Sequence, residues 1–207
     1  MQTETERLTN LIAEKGYKKY FEVSINTLNP VIRGFFSDYF FLSNFFVCPV
    51  PYKGRMFHSS EAAYMSEKTD EALIKDLFAN IQDPKTAKVL GSKITLVSDW
   101  EEKKVRVMQE VLLAKFLHNP SLAEKLCKTD DFQLEETNHW GDRFWGVEYD
   151  TRIGKNVLGK LLMNTRTLLQ SLVNITVTAN ANTTETKSIR QEVKERNTLD
   201  TNNPAEL

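Results

Sequence analysis

Hydrophobic residues recur at helical spacing through most of the middle of this chain of 207 residues. In the long segment after Asp99 the apolar positions follow a helical period, and the segment from about Asn156 carries a stripe of leucines. Alternating residues over Phe132–Thr137 are typical of a strand. Together with the capping residues, these patterns predict helices from Ser59 or Ser60 to Ile81, from Asp83-Pro84 to Gly91, from Asp99 to Asn119, from Asn119-Pro120 to Cys127 or Lys128, and from about Asn156 onward.

The two ends of the chain lack this regular pattern. Residues 1–30 are polar, and the only elements they suggest are a short helix around Leu8–Gly16 and a strand over Tyr20–Ile25. From about Asn174 the sequence is rich in threonine, asparagine and charged residues, which is typical of a flexible tail. We therefore predict an N-terminal extension over 1–30, one folded domain over 31–173 and a flexible polar tail over 174–207.

A run of aromatic residues stands at the start of the predicted domain. The segment FFSDYFFLSNFF, residues 35–46, holds six of the twelve phenylalanines. This is too much apolar area for a surface, so we expect the run in the core or lining a pocket. Ser43 and Asn44 within it need hydrogen-bond partners if they are buried, and they could close a turn or bind a ligand.

Charge and cysteine content restrict the kind of protein. With 27 Lys and Arg against 28 Asp and Glu, the net charge is −1, so no global basic field favours nucleic acid binding. Cys48 and Cys127 lack metal-ligand spacing, which predicts reduced thiols in a cytoplasmic protein and no metal site. The N-terminus lacks the apolar run of a signal peptide, and no window approaches the roughly 18 apolar residues of a membrane span. We therefore expect a soluble protein without membrane contact, and the sequence carries no signal of its oligomeric state.

The segment Glu135–Arg166 carries the most unusual set of residues. Trp140, Asp142 and Trp145 lie within six positions of one another on a glycine-rich stretch, just ahead of the final helix. Aromatic faces beside a carboxylate suit a pocket that stacks a flat ring and carries out proton chemistry at its edge. The alternative is that both tryptophans anchor the core and that Asp142 shapes a turn.

A second candidate acid stands at the start of the first predicted helix of the domain. Glu61 falls in its first turn, where the helix dipole favours a carboxylate, and this structural explanation alone would account for it. Tyr64 and Lys68 follow three and seven residues later, so the three side chains share one helix face. That face could offer a carboxylate, a phenol and an ammonium group to one ligand.

Taken together, FLSNFF, SSEAAYMSEK and the segment DRFWG…GKNVLGKLLMNTR resemble the NADAR family, also called the YbiA-like family, over about residues 35–170. The resemblance implies an α+β fold that is mainly helical, a single NADAR domain with a small β component. It also implies hydrolysis of an N-glycoside without a metal or a cofactor. The chain departs from the family pattern at Ala62, where a histidine usually follows the glutamate, and at Gly91-Ser92, where a Gly-Arg pair is usual.

For such a hydrolase, the resemblance assigns the chemistry to two acids and an aromatic ring. Glu61 and Asp142 would jointly activate water and stabilise the sugar cation, and Trp145, alone or with Trp140, would stack the base or shape the ribose pocket. Cationic side chains would hold a phosphate, unless they are ordinary solvated charges, and amide side chains would orient hydroxyl groups. The candidate substrate-binding residues are Ser43, Asn44, Arg55, Tyr64, Lys68, Lys93, Trp140 and Asn156.

The predicted function is hydrolysis of an N-glycosidic bond in a ribose phosphate or an ADP-ribosyl compound. The substrate could be a small riboflavin-pathway intermediate or ADP-ribose on a nucleobase in nucleic acid, and the near-zero net charge favours the small molecule. The alternative is a non-catalytic module that binds ADP-ribose or a related nucleotide. Such a module would tolerate the loss of an acid, whereas both acids are present here.

Overall fold

The structure, a computed structural model, describes residues 30–172. Contacts within the chain divide it into two units, residues 1–167 and 168–207, and only residues 168–172 of the second unit are described, as the end of the final helix. The short helix and strand predicted before residue 30 lie outside the described residues. So does the tail predicted after residue 173.

Helices dominate the described part of the chain, and its strands are short. The mainly helical α+β fold expected from the sequence is confirmed. The strands are β1 (Val31–Arg33), β2 (Val47–Tyr52), β3 (Arg55–Ser59), β4 (Gln133–Glu135), β5 (Thr137–Asn138) and β6 (Val147–Glu148); the helices are α1 (Ser60–Ser66), α2 (Ala72–Asn80), α3 (Pro84–Gly91), α4 (Trp100–His118), α5 (Pro120–Cys127) and α6 (157–172), and a 3-10 helix spans Ser37–Leu42.

The strands form separate pairs rather than one sheet. β2 and β3 make an antiparallel hairpin that places Val50 opposite Phe57, and both side chains are buried. β1 pairs in parallel with β4, and β5 pairs in parallel with β6. The β5–β6 pair closes the loop of residues 139–146, which carries Asp142 and Trp145.

The core is built around the long helix α4. Its buried residues include Val111, Leu112 and Phe116, and the helix packs against β2, α1 and α5. The helical period predicted after Asp99 therefore identifies core residues correctly. Among residues 30–172, no helix is long and apolar enough to cross a membrane.

The single helix predicted to run from the start of α1 to the end of α2 is wrong, because residues 67–71 interrupt it. Glu67 is buried at the interruption, and its carboxylate pairs with Lys53 at 2.6 Å and with Lys75 at 2.9 Å. A buried carboxylate held from two sides fixes the chain at this point. The Thr69 hydroxyl also accepts a hydrogen bond from the backbone N–H two residues later, at 3.2 Å, and such local bonds compete with helical ones.

The aromatic run is buried only in part. Phe35, Phe41 and Leu42 are buried as expected, but Phe36 is 64% exposed and Phe40 is 41% exposed. A 3-10 helix has three residues per turn, so only one face of Ser37–Leu42 meets the core, and Phe36 lies on extended backbone just before that helix. The prediction that the whole run lies in the core or lines a pocket is therefore wrong for Phe36.

Candidate active site

Glu61 is held in the first turn of α1 by the residues around it. Ser59, rather than Ser60, caps the helix, because its hydroxyl accepts a hydrogen bond from the Ala62 N–H at 3.2 Å. The Glu61 N–H donates to the carbonyl oxygen of Asn44 at 3.0 Å, which joins the helix start to the aromatic run. The Glu61 residue is only 6% exposed, so its carboxylate is largely withdrawn from water.

A buried lysine fixes the segment FLSN, residues 41–44. Lys115 of α4 is fully buried, and its Nζ donates to the carbonyl oxygens of Phe41 at 2.6 Å and of Ser43 at 3.0 Å. Burial lowers the pKa of Lys115 to about 8. Two backbone carbonyls thus depend on one ammonium group in the core.

The two polar residues of the FLSN segment have different roles. The Ser43 hydroxyl accepts from the Phe45 N–H at 3.1 Å, which is the turn role that the sequence left open. Asn44 Nδ2 donates to the sulfur of Met108 at 3.4 Å, while its Oδ1 is buried without a hydrogen-bond partner among the described residues. An unpaired buried oxygen adjoining Glu61 is available to a ligand.

Asp142 shapes the loop on which it stands. Its Oδ1 accepts from the backbone N–H groups of Phe144 at 3.1 Å and Trp145 at 2.9 Å. The Asn138 side chain clamps the same loop, since its Oδ1 accepts from the Asp142 N–H at 2.9 Å and its Nδ2 donates to the Asp142 carbonyl at 2.8 Å. The turn role considered for Asp142 is therefore present, and these bonds orient the carboxylate.

The structure brings Glu61 and Asp142 together with two lysines. Burial raises the pKa of Glu61 to about 7. The ammonium groups of Lys88 and Lys68 oppose that rise, and the Asp142 carboxylate adds to it. Burial in turn lowers the pKa of Lys68, and the Glu61 carboxylate opposes that decrease. Charges that act on one another in this way lie close together, although the acids are far apart in sequence.

A third acid, Glu136, belongs to the same group. It lies between β4 and β5, and burial raises its pKa to about 7. The Asp142 carboxylate adds to this rise, Lys88 opposes it, and Glu61 adds a further increase. We call Glu61, Glu136, Asp142, Lys68 and Lys88 the acid–lysine cluster.

Aromatic rings join the two halves of the cluster. Tyr64 of α1 meets Trp145 edge to face, with ring centres 5.5 Å apart, and contacts Trp100 at 5.1 Å. Lys68 Nζ lies 5.8 Å from the ring centre of Trp100. Burial, with the nearby Glu61 carboxylate, raises the pKa of the Tyr64 phenol, so the hydroxyl stays protonated at neutral pH. The face shared by Glu61, Tyr64 and Lys68 therefore borders the turn after β5.

Trp140 marks the exposed edge of the cluster. It is 67% exposed, and Lys88 Nζ lies 5.6 Å from its ring centre and 5.5 Å from that of Phe45. Ring faces attract an ammonium group without neutralising its charge. Lys88 therefore stands between the buried acids and an exposed aromatic ring.

The NADAR domain family model matches residues 32–170 of the chain. This chain belongs to the NADAR family. It is 32% identical over 159 residues to a riboflavin biosynthesis protein of Vibrio vulnificus, and the aligned region covers 75% of this chain and 43% of that protein. It is 36% identical over 121 residues to an N-glycosidase of Nostoc punctiforme, and the aligned region covers 56% of this chain and 76% of that protein. The family expected from the sequence is confirmed.

The Escherichia coli N-glycosidase YbiA is similar over most of its length. Its sequence is 30% identical over 146 residues, which covers 68% of this chain and 90% of YbiA. Its NMR structure matches with a TM-score of 0.63 at 27% identity, covering 73% of this chain and 91% of that one. The chain therefore spans less than half of the Vibrio protein but nearly all of YbiA.

Two of the predicted phosphate ligands of this NADAR domain lie apart from the acids. Arg55 Nε pairs with Asp76 at 2.7 Å, on the side of α2. Lys93 is exposed just beyond the end of α3. Lys68, by contrast, belongs to the acid–lysine cluster, and Tyr64 and Trp145 lie beside the cluster.

Asn156 acts on the NADAR site through the backbone. Its Oδ1 accepts from the Glu136 N–H at 3.1 Å, and its Nδ2 donates to the Leu134 carbonyl at 2.8 Å. Both ends of the side chain that was expected to orient a hydroxyl group are thus used to hold β4 and the residue after it. Asn156 fixes the position of Glu136.

Glu136 and Lys88 are the members of the cluster that the sequence patterns did not identify. Glu136 follows Leu134 by two positions on an extended stretch, so the two side chains share a face, and Leu134 is fully buried. A glutamate on the buried face of the strand predicted over Phe132–Thr137 was the available signal. Lys88 lies on an ordinary amphipathic helix, and no local pattern distinguishes it from a solvated lysine.

A cleft of about 640 Å³ opens along the aromatic run. Its walls include Tyr39, Phe40, Phe46, Phe132 and Lys125. None of the predicted site residues lines this cleft, so it is separate from the acid–lysine cluster.

Proposed function

We propose that this NADAR domain is an N-glycosidase that hydrolyses the bond between a ribose and a nitrogen base. The observation that carries the proposal is the acid–lysine cluster, in which carboxylates from three separate segments lie beside two ammonium groups. Breaking an N-glycosidic bond leaves positive charge on the sugar, so it requires a carboxylate near the anomeric carbon and an activated water molecule. The names of the Nostoc and Escherichia coli relatives support the same reaction.

Glu61 and Asp142 share the two carboxylate roles in this mechanism. One stabilises the sugar cation, and the other takes a proton from the attacking water. The hydrogen bonds to Asp142 Oδ1 orient its carboxylate, and the lysines beside Glu61 favour its ionised form. The indole of Trp145 provides the wall against which the base or the ribose is placed.

The proposed substrate is a ribose phosphate or an ADP-ribosyl compound. Lys68 and Lys88 supply positive charge for a phosphate, and the exposed ring of Trp140 offers a stacking surface. The name of the Vibrio relative supports a riboflavin-pathway intermediate. The net charge of −1 favours such a small molecule over ADP-ribosylated nucleic acid.

We also propose that the catalytic domain spans residues 31–173, between the extension 1–30 and the polar tail 174–207, and that it acts in the cytoplasm. Cys48 and Cys127 are free thiols, which suits a reducing compartment.

The second candidate function is a module that binds ADP-ribose without cleaving it. The unpaired Oδ1 of Asn44 and the ring of Trp145 would serve binding alone. A module has no use, however, for two buried acids whose pKa values are raised to about 7, where they exchange protons at neutral pH. The cluster therefore favours the enzyme.

The test is to incubate the full chain with a phosphorylated early intermediate of riboflavin synthesis and, separately, with ADP-ribosylated DNA, and to measure freed base or sugar. Glu61→Gln should lower the rate of release at least roughly 100-fold while the fold remains intact. Glu71→Gln, at an exposed position before α2, is the matched control and should retain the wild-type rate. Full turnover by Glu61→Gln would remove Glu61 from the mechanism. If the wild type frees no base or sugar from either substrate but binds ADP-ribose tightly, the result would support the module.

A further inference from the structure

Glu136 has a backbone that is fixed from several sides. Its N–H donates to Asn156 Oδ1 at 3.1 Å, and its carbonyl oxygen accepts from the Val147 N–H at 2.7 Å. A Cβ atom at Gly146 would lie 2.3 Å from that carbonyl oxygen, so a residue with a side chain cannot stand there without moving the chain. The starting point of the Glu136 side chain is therefore set by neighbours from two other segments.

At the end of this side chain, in contrast, one oxygen is not held. Glu136 Oε2 is buried and has no hydrogen-bond partner among residues 30–172. A carboxylate that served packing alone would be expected to have its oxygens paired, since a buried unpaired oxygen is costly. A rigid backbone with an unpaired carboxyl oxygen at the end of the side chain is typical of a group that meets a ligand.

The charges around Glu136 differ from those around Glu61. The groups that act on the Glu136 carboxyl are two carboxylates, Asp142 and Glu61, and one ammonium group, Lys88. Glu61 has both Lys88 and Lys68 beside it, and Asp142 acts on it more weakly than either lysine. Burial favours the protonated form of both acids, and both pKa values lie near 7, but the two lysines beside Glu61 oppose its protonation while two carboxylates and one lysine act on Glu136.

We propose that Glu136 is a further catalytic residue, the proton donor to the leaving nitrogen in the N-glycosidase reaction. This inference rests on the function proposed above. The carbon–nitrogen bond breaks, its electron pair leaves with the nitrogen, and the proton on Glu136 Oε2 moves to that nitrogen. Water adds its oxygen to the anomeric carbon and gives its proton to the Glu61–Asp142 pair. That proton and the ionised Glu136 then exchange with solvent, which restores the starting state.

The three acids have different roles in this reaction. Glu61 and Asp142 act on the sugar and the water as carboxylates, whereas Glu136 acts on the base as a carboxylic acid. Two roles that need opposite protonation states are thus given to groups with different neighbours.

The experiment compares Glu136→Gln, Glu136→Asp and the matched control Glu135→Gln, using the substrate that the wild type cleaves in the test above. Glu135 is the preceding residue and pairs with Arg152. We expect Glu136→Gln to lower kcat by roughly 100-fold or more, Glu136→Asp to retain an intermediate rate, and Glu135→Gln to stay near the wild-type rate. Circular dichroism and thermal melting of all three variants establish that they are folded.

Two further readouts separate proton donation from a structural role. The wild-type kcat/KM should fall as pH rises above about 7, and this decrease should be absent in the residual activity of Glu136→Gln. Nicotinamide mononucleotide, whose pyridinium base leaves as a neutral molecule and needs no proton, should be cleaved by Glu136→Gln at a rate near that of the wild type.

An unchanged kcat in Glu136→Gln on the substrate that the wild type cleaves in the test above would overturn the inference and leave the proposed function standing. A decrease in activity that keeps the wild-type pH profile would also overturn it. A wild-type protein that releases no base from any of these compounds would instead refute the proposed function itself.

Discussion

The Nζ of Lys115 and the carbonyl oxygen of Ser43 lie 3.0 Å apart, in the interior of the domain. The same ammonium group reaches the Phe41 carbonyl, so the last turn of α4 holds the FLSN segment from within. The next carbonyl along, that of Asn44, receives the Glu61 N–H. A buried cation in the core thereby helps to place the first acid of the site.

Replacement of Lys115 by methionine should destabilise the fold by about 2 kcal/mol, because two buried carbonyls lose their donor. Burial lowers the pKa of Lys115 from 10.5 to about 8 in the folded protein. The unfolded chain therefore binds more protons between these values, and the wild type gains stability as pH rises from 8 towards 10.5. The cost of Lys115→Met, measured by urea unfolding, should be larger at pH 9.5 than at pH 7. Lys128→Met, at an exposed position, is the control, and an equal cost at both pH values would contradict the prediction.

The two serines at the start of α1 should respond in opposite ways to substitution by alanine. Ser59→Ala removes the hydroxyl that caps the helix and should lower the free energy of unfolding by about 1 kcal/mol. Ser60→Ala removes a hydroxyl that is buried without a partner among the described residues, so it should be neutral or slightly stabilising. Chemical denaturation of both variants measures the difference. Equal losses at the two positions would show that the cap is assigned to the wrong serine.

Glu61→Gln should stabilise the protein at neutral and alkaline pH while removing its activity. Burial raises the pKa of Glu61 from 4.5 to about 7, so the ionised side chain is unfavourable in the folded state. This penalty is absent below pH 4.5, grows between 4.5 and 7, and is complete above 7, because the folded protein binds the extra proton in that interval. The variant should exceed the wild type by up to about 3 kcal/mol at pH 8 and by little at pH 5. A stability difference that does not change with pH in urea titrations would count against this prediction.

Asn156 should be replaced more easily by glycine than by alanine. Its φ is 50°, in the left-handed region that asparagine and glycine adopt more readily than other residues. Both variants lose the hydrogen bonds to Leu134 and Glu136, but only alanine adds backbone strain, which makes Asn156→Ala less stable than Asn156→Gly by about 1 kcal/mol. Thermal melts of the pair test this order. A less stable glycine variant would mean that chain entropy outweighs the strain.

Local features of the fold were predictable because their causes are close in sequence. Asp83 caps α3 with Pro84 in its first turn, as the dipeptide indicates. The break between α1 and α2 was missed because the carboxylate of Glu67 is held by Lys53, from another element, and by Lys75. A helical period does not report an ion pair of this kind.

In the candidate site, too, the residues with local sequence signals were predictable, and those that depend on distant contacts were not. Glu61 and Asp142 stand in recognisable motifs, and the family likeness marked both. For Glu136 the sequence offered only its place on the buried face of a predicted strand, and the fixing of its backbone depends on Asn156 and Gly146, both further along the chain. Arg55 carries a charge that suits a phosphate, but its pairing with Asp76 depends on how α2 folds back towards β3.

The three acids come from α1, from the β4–β5 connection and from the β5–β6 loop, and this origin has a consequence for how the protein becomes active. During synthesis the growing polypeptide contains Glu61 at an early stage, but it lacks the other two carboxylates until most of the domain has been made. Catalysis then begins only when the complete tertiary structure has assembled, so activity and cooperative folding are expected to disappear at the same denaturant concentration.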